Sequence, residues 1–86
     1  MVGNELLQVC RQGNLLFCYG YIDAITDVLR GNTVNAFEAC IPSNVEAGQL
    51  KDIVVQFLLL NPSQRHLGAD GLVANAISEA FPCHRR

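Results

Sequence analysis

The sequence predicts an all-α fold, a small disulfide-stapled helical bundle of about four helices. Apolar residues recur at steps of three and four through most of the chain. Residues that start and stop helices fall between those periodic stretches. Four cysteines in 86 residues form the even set that staples small domains and marks an oxidising compartment. Residues 4–83 are expected to form one helical domain, with 84–86 as a C-terminal tail.

The first helix is expected from Asn4 to Arg11. Asn4 can cap it, Glu5 suits the positive first turn, and Leu6, Leu7, Val9 and Cys10 supply its apolar side. Gly13-Asn14 then ends one helix and caps the next. The second helix is expected from Leu15 to Arg30, with a stripe of Leu15, Cys18, Ile22, Ile25 and Leu29 widened by Tyr21 and Val28. Gly20 inside it costs about 1 kcal/mol relative to alanine, which implies a neighbour packed closely there.

Residues 31–40 form the longest irregular piece, in which Val34, Phe37 and Cys40 are expected to be pinned to the core. The third helix is expected from Glu46 to Leu60, with Leu50, Ile53, Val54, Phe57 and Leu58 on its core side. Val55, Leu59 and Leu60 lie off that stripe, so the helix is either central or part of an oligomer interface. Asn61-Pro62-Ser63-Gln64 has the pattern of a capped helix start, and the fourth helix is expected from there to about Ala80. Its stripe is Ala69, Leu72, Val73, Ala76, Ile77 and Ala80. Gly68 and Gly71 would allow a second helix to approach closely, and Pro82 ends the segment.

The cysteines lie 8, 22 and 43 positions apart, which lacks the close pairs of a zinc site or a redox motif. If helices two, three and four run up, down and up, Cys40 and Cys83 share one end and Cys10 and Cys18 the other. That favours Cys10–Cys18 with Cys40–Cys83, while the long loop leaves Cys18–Cys40 open.

Half the residues are apolar and only 16% are charged, which excludes a disordered chain. A formal charge of −2, six scattered basic residues and no tryptophan argue against nucleic acid. The longest apolar runs, such as Leu58–Leu60, are too short for membrane insertion. No phosphate loop, zinc-protease helix or nucleophile elbow is present, and no cofactor is expected. An enzyme would have to use Cys18 or Cys40 with His66, and two disulfides would abolish that chemistry. Met1-Val2-Gly3-Asn4-Glu5 has no basic leader, and if the cysteines are paired an export signal is expected to have been removed.

Several motifs can be matched together. They are Leu6-Leu7-x-x-Cys10; Phe17-Cys18-Tyr19-Gly20-Tyr21-Ile22 with Asp27; Cys40-Ile41-Pro42 with Val45, Gln49 and Leu50; and Asn61-Pro62, Arg65-His66, Ala69, Leu72-Val73 and Ala80-Phe81-Pro82-Cys83. In order, and with every cysteine in place, they resemble the Rap/Tai type of immunity proteins over roughly Leu6 to Cys83. The chain departs from that pattern at Ala24, where a small residue, often glycine, is usual, and at Glu46, where a serine or threonine often caps the third helix; the cap is then expected at Ser43 or Asn44.

The resemblance implies a periplasmic homodimer without enzymatic activity. Its partner would be a type VI secretion peptidoglycan amidase, a papain-like cysteine hydrolase whose active-site cleft it occludes. The candidate effector-binding residues are Asn32, Asn35 and Glu38 on the loop, and Ser63 and Gln64 in the hinge; Gly20, Tyr21, Arg65 and His66 are expected to be scaffold. The competing expectation is a periplasmic acid-stress chaperone, also small, helical and disulfide-bonded.

Overall fold

The computed structural model describes residues 1–83; the 84–86 tail, with His84, lies outside them. Four α-helices are formed: α1 (Gly3–Gln12), α2 (Leu15–Leu29), α3 (Ala47–Leu60) and α4 (Ala69–Ala80), with a short 3-10 turn, Pro62–Gln64, between the last two. Helix α3 packs on α4, α2 packs on both, and α1 lies across α2 and α3. Two disulfides, Cys10–Cys18 and Cys40–Cys83, have Cα separations of 5.1 and 5.0 Å. The second joins the approach to α3 to the residue beyond α4, so those two helices run antiparallel.

Helix α1 starts one residue earlier than its sequence suggests. Glu5 rather than Asn4 organises the first turn, because its carboxylate accepts from the Val2 N–H at 2.9 Å. Two more orphan donors of that turn find partners far along the chain, Gly3 N–H on the Leu67 carbonyl (3.0 Å) and Asn4 N–H on that of Arg65 (2.8 Å). Gly3 is needed for this approach, since a Cβ there would lie 2.5 Å from Leu72 Cδ1 and 3.0 Å from the Arg65 carbonyl oxygen.

Helix α2 is capped by Asn14, whose side chain accepts from the Phe17 N–H at 3.1 Å. Its buried stripe is Cys18, Ile22, Thr26 and Leu29. Thr26 takes part because its hydroxyl donates to the Ile22 carbonyl at 2.8 Å, which satisfies a polar group inside the core. Leu15 and Val28 are instead half exposed. Gly20 has nothing within 4 Å of where its Cβ would be, so no close neighbour accounts for it.

Leu50, Val54 and Leu58 of α3 are buried, and Ile53 and Phe57 pack against the core's edge. Glu46 occupies the cap position of α3 in extended conformation without a side-chain cap bond, so neither Ser43 nor Asn44 caps the helix.

The hinge differs most from its expected form. Asn61 closes α3, with its amide nitrogen donating to the Phe57 carbonyl at 2.8 Å. Pro62–Gln64 then makes its own 3-10 turn, and α4 begins only at Ala69. His66 is therefore exposed in the turn before α4, outside the helix. From Ala69 onward, Leu72, Val73, Ala74, Ala76 and Ile77 are buried, and Ala80 is exposed.

Candidate functional site

The loop between α2 and α3 is fixed at its base from several sides. Gly31 and Asn32 N–H groups both donate to the Val28 carbonyl, which closes the end of α2. The Arg30 guanidinium donates across the base to the Ile41 carbonyl at 3.1 Å. Cys40 donates its N–H to the Phe81 carbonyl at 2.8 Å, and its sulfur is bonded to Cys83. Phe37, with Val34, packs against the core and Ala39 is buried, so apolar contact adds to the polar tethers.

The tip of this loop is a tight hairpin. Val34 and Phe37 exchange both main-chain hydrogen bonds, at 3.0 and 2.9 Å. Between them Asn35 and Ala36 have φ of 49° and 67°. Two consecutive left-handed residues are the requirement of a type I′ turn, for which Asn-Gly is the preferred pair. Asparagine tolerates the first position, but alanine at the second carries strain on the order of 1 kcal/mol. Both residues are exposed. The result is a short, pre-shaped projection on a stapled base.

The candidate residues divide among three places. Asn35 and Gln64 line one groove of about 290 Å³, between the hairpin and the start of α4. Asn32 and Glu38 line another hollow of about 370 Å³ at the loop base, beside Arg30 and Cys83. Ser63 is exposed on the hinge and lines neither. Gln64 is held from below, as its amide donates to the Asn61 side-chain oxygen at 3.4 Å.

The first groove also contains Leu67, Gly71, Leu72 and Asn75, which sequence reasoning did not select. Gly71 is close to the loop rather than to another helix, because a Cβ there would lie 2.6 Å from the Asn35 amide nitrogen. The available signal was Asn75, a polar residue one turn beyond Gly71 on the same side of α4.

A family model describing the Rap1a immunity proteins matches residues 2–83. The chain belongs to the Rap1a immunity protein family. Membership makes it a non-enzymatic inhibitor that binds a cognate effector. No curated protein and no solved structure matches the chain. Together with the two disulfides, membership suggests an extracellular or periplasmic protein. No helix among the described residues is long and apolar enough to cross a membrane, and no group of histidine, cysteine and carboxylate side chains among them could hold a metal ion.

Both pairs of sulfurs are oxidised, so none of the four cysteines is a nucleophile. The cysteines thus give the α2–α3 loop and its neighbouring groove no covalent chemistry, and what these can offer a partner is contact. An ordered projection is well suited to that, because each residue already fixed before binding spares about 1–2 kcal/mol of backbone ordering.

Proposed function

We propose that this Rap1a family member occupies the active-site cleft of a type VI secretion peptidoglycan amidase, a papain-like cysteine hydrolase, and so protects the producing cell in its periplasm. The observation that carries the proposal is the hairpin at Asn35-Ala36, exposed, left-handed at both residues and tethered at its base. A narrow rigid projection of this kind can enter a cleft and keep substrate out without itself offering a cleavable geometry. The amidase as partner rests on the four-motif resemblance between Leu6 and Cys83.

In the proposed arrangement the protein works as a homodimer through α2. Its outer face is apolar and uncovered, with Leu16 84% and Phe17 51% exposed and small residues at Gly20 and Ala24 between them and Val28. An acid-stress chaperone is less well supported, since opening at low pH needs buried titratable groups. Among the described residues the buried polar set contains Thr26 alone.

The test is protection of cells that export the amidase encoded beside this chain. Co-export of the unaltered protein should prevent lysis, and Asn35→Arg should not. A neighbouring gene that encodes no amidase, together with failure to protect against any periplasmic amidase, would overturn the proposal.

A further inference from the structure

We propose that the groove between the hairpin and α4 seats an extended, uncharged segment of the effector polypeptide, recognised through its main-chain amides. This deepens the inhibitor reading above and rests on it. The groove lies directly beside the projecting hairpin and shares Asn35 and Phe37 with it. A partner engaged by the hairpin tip therefore has its own surface facing the groove.

The lining selects the kind of segment. None of its residues is formally charged, so a charged segment would lose hydration without gaining a counter-ion. Three carboxamides, Asn35, Gln64 and Asn75, surround an apolar floor that includes Leu67 and Leu72. A carboxamide offers both a donor and an acceptor, which matches the N–H and C=O of a peptide unit. The side chains of Asn35 and Asn75 make no hydrogen bond among the described residues, although the Asn75 carbonyl accepts from the Ser78 hydroxyl at 2.8 Å. Their capacity is thus free for a partner.

Gly71 completes the floor between them. Without a side chain it leaves room for the Asn35 amide against α4, and any Cβ would displace that amide. At about 290 Å³ the groove falls just under the range of roughly 300–1,000 Å³ common for small-molecule sites, and it suits one segment of a larger partner.

The test measures binding of the amidase to the intact, oxidised chain and to Asn75→Ala and Gly71→Ala, with Gln56→Ala on the exposed side of α3 as control. Both groove variants should weaken the complex by about tenfold to a hundredfold, with helical content and unfolding midpoint not lowered, and the control should not weaken it. A photo-crosslinker in place of Leu67 should capture an amidase peptide that is extended and free of charged residues.

If the unaltered chain binds the amidase and both groove variants bind equally well, the groove proposal fails while the inhibitor reading stands. If the unaltered chain does not bind, the inhibitor reading fails and the groove proposal with it. Saturable binding of a soluble muropeptide in place of the amidase would also overturn it. So would self-association that perturbs the Asn75 side-chain amide signals.

Discussion

The two disulfides stand in opposite surroundings. Cys10 and Cys18 are 4% and 0% exposed and close a separation of 8 residues between α1 and α2. Cys40 is exposed and Cys83 half-buried, and they close a separation of 43 residues at the foot of the hairpin loop. The first staple belongs to the hydrophobic core. The second ties down the base of the exposed hairpin loop. Both crosslinks restrict the unfolded chain, the longer one more strongly, and the one at the surface also sets the position of a loop.

This contrast is sharpened first by removing the second staple. Cys40→Ala with Cys83→Ala should cost about 4 kcal/mol in the chain-entropy description, most of the margin of a small domain. Urea unfolding should register that loss, and inhibition of the amidase should fall by more than tenfold. Removing Cys10 and Cys18 in the same way should cost about 2.5 kcal/mol from loop closure, with inhibition retained wherever the chain remains folded. Equal loss of inhibition in the two double variants at matched folded fraction would break the comparison.

Smaller changes probe each side separately. Asn14→Ala removes the cap of α2 beside the core staple and should lower stability by about 1 kcal/mol without altering inhibition. Ala36→Gly on the loop side should act in the opposite direction. It relieves the left-handed strain and should raise stability by about 0.5–1 kcal/mol, seen as a higher urea midpoint.

The smallest expected effect is on pH dependence. Burial, and after it the Asp70 carboxylate, holds the Tyr21 phenol above its usual value of 10.0. The folded chain thus favours the neutral phenol, and that contribution is present below pH 10 or so and lost as pH rises through the raised folded value. Tyr21→Phe should flatten the alkaline decline in stability measured above about pH 10.

Much of the scaffold was legible because it is local. The stripe of α3 and the Asn14 cap follow from residues three and four apart, and both lie where periodicity places them. The start of α4 was not legible. Asn61-Pro62-Ser63-Gln64 satisfies the pattern of a helix start, but the same Asn61 side chain binds back to Phe57 and closes the preceding helix. What then holds 65–68 out of α-helix is pairing with the N-terminal residues, including the Ala69 N–H on the Met1 carbonyl at 2.9 Å. That contact joins residues far apart in the sequence and leaves no local trace.

The candidate residues show the same division. Asn35 was visible as a turn former, whereas its proximity to Gly71, and the groove that results, depends on how the loop lies against α4. Helical spacing on α4 alone could not say which of its faces the loop would cover.

The most direct measurement of the central claim is photo-crosslinking from the hairpin tip, with p-benzoylphenylalanine in place of Ala36 and the purified amidase as partner. Loop occlusion predicts crosslinks to peptides that line the catalytic cleft, and their loss when an active-site-directed covalent inhibitor already fills that cleft. Crosslinks that fall elsewhere on the amidase, or that persist unchanged with the cleft filled, would contradict it.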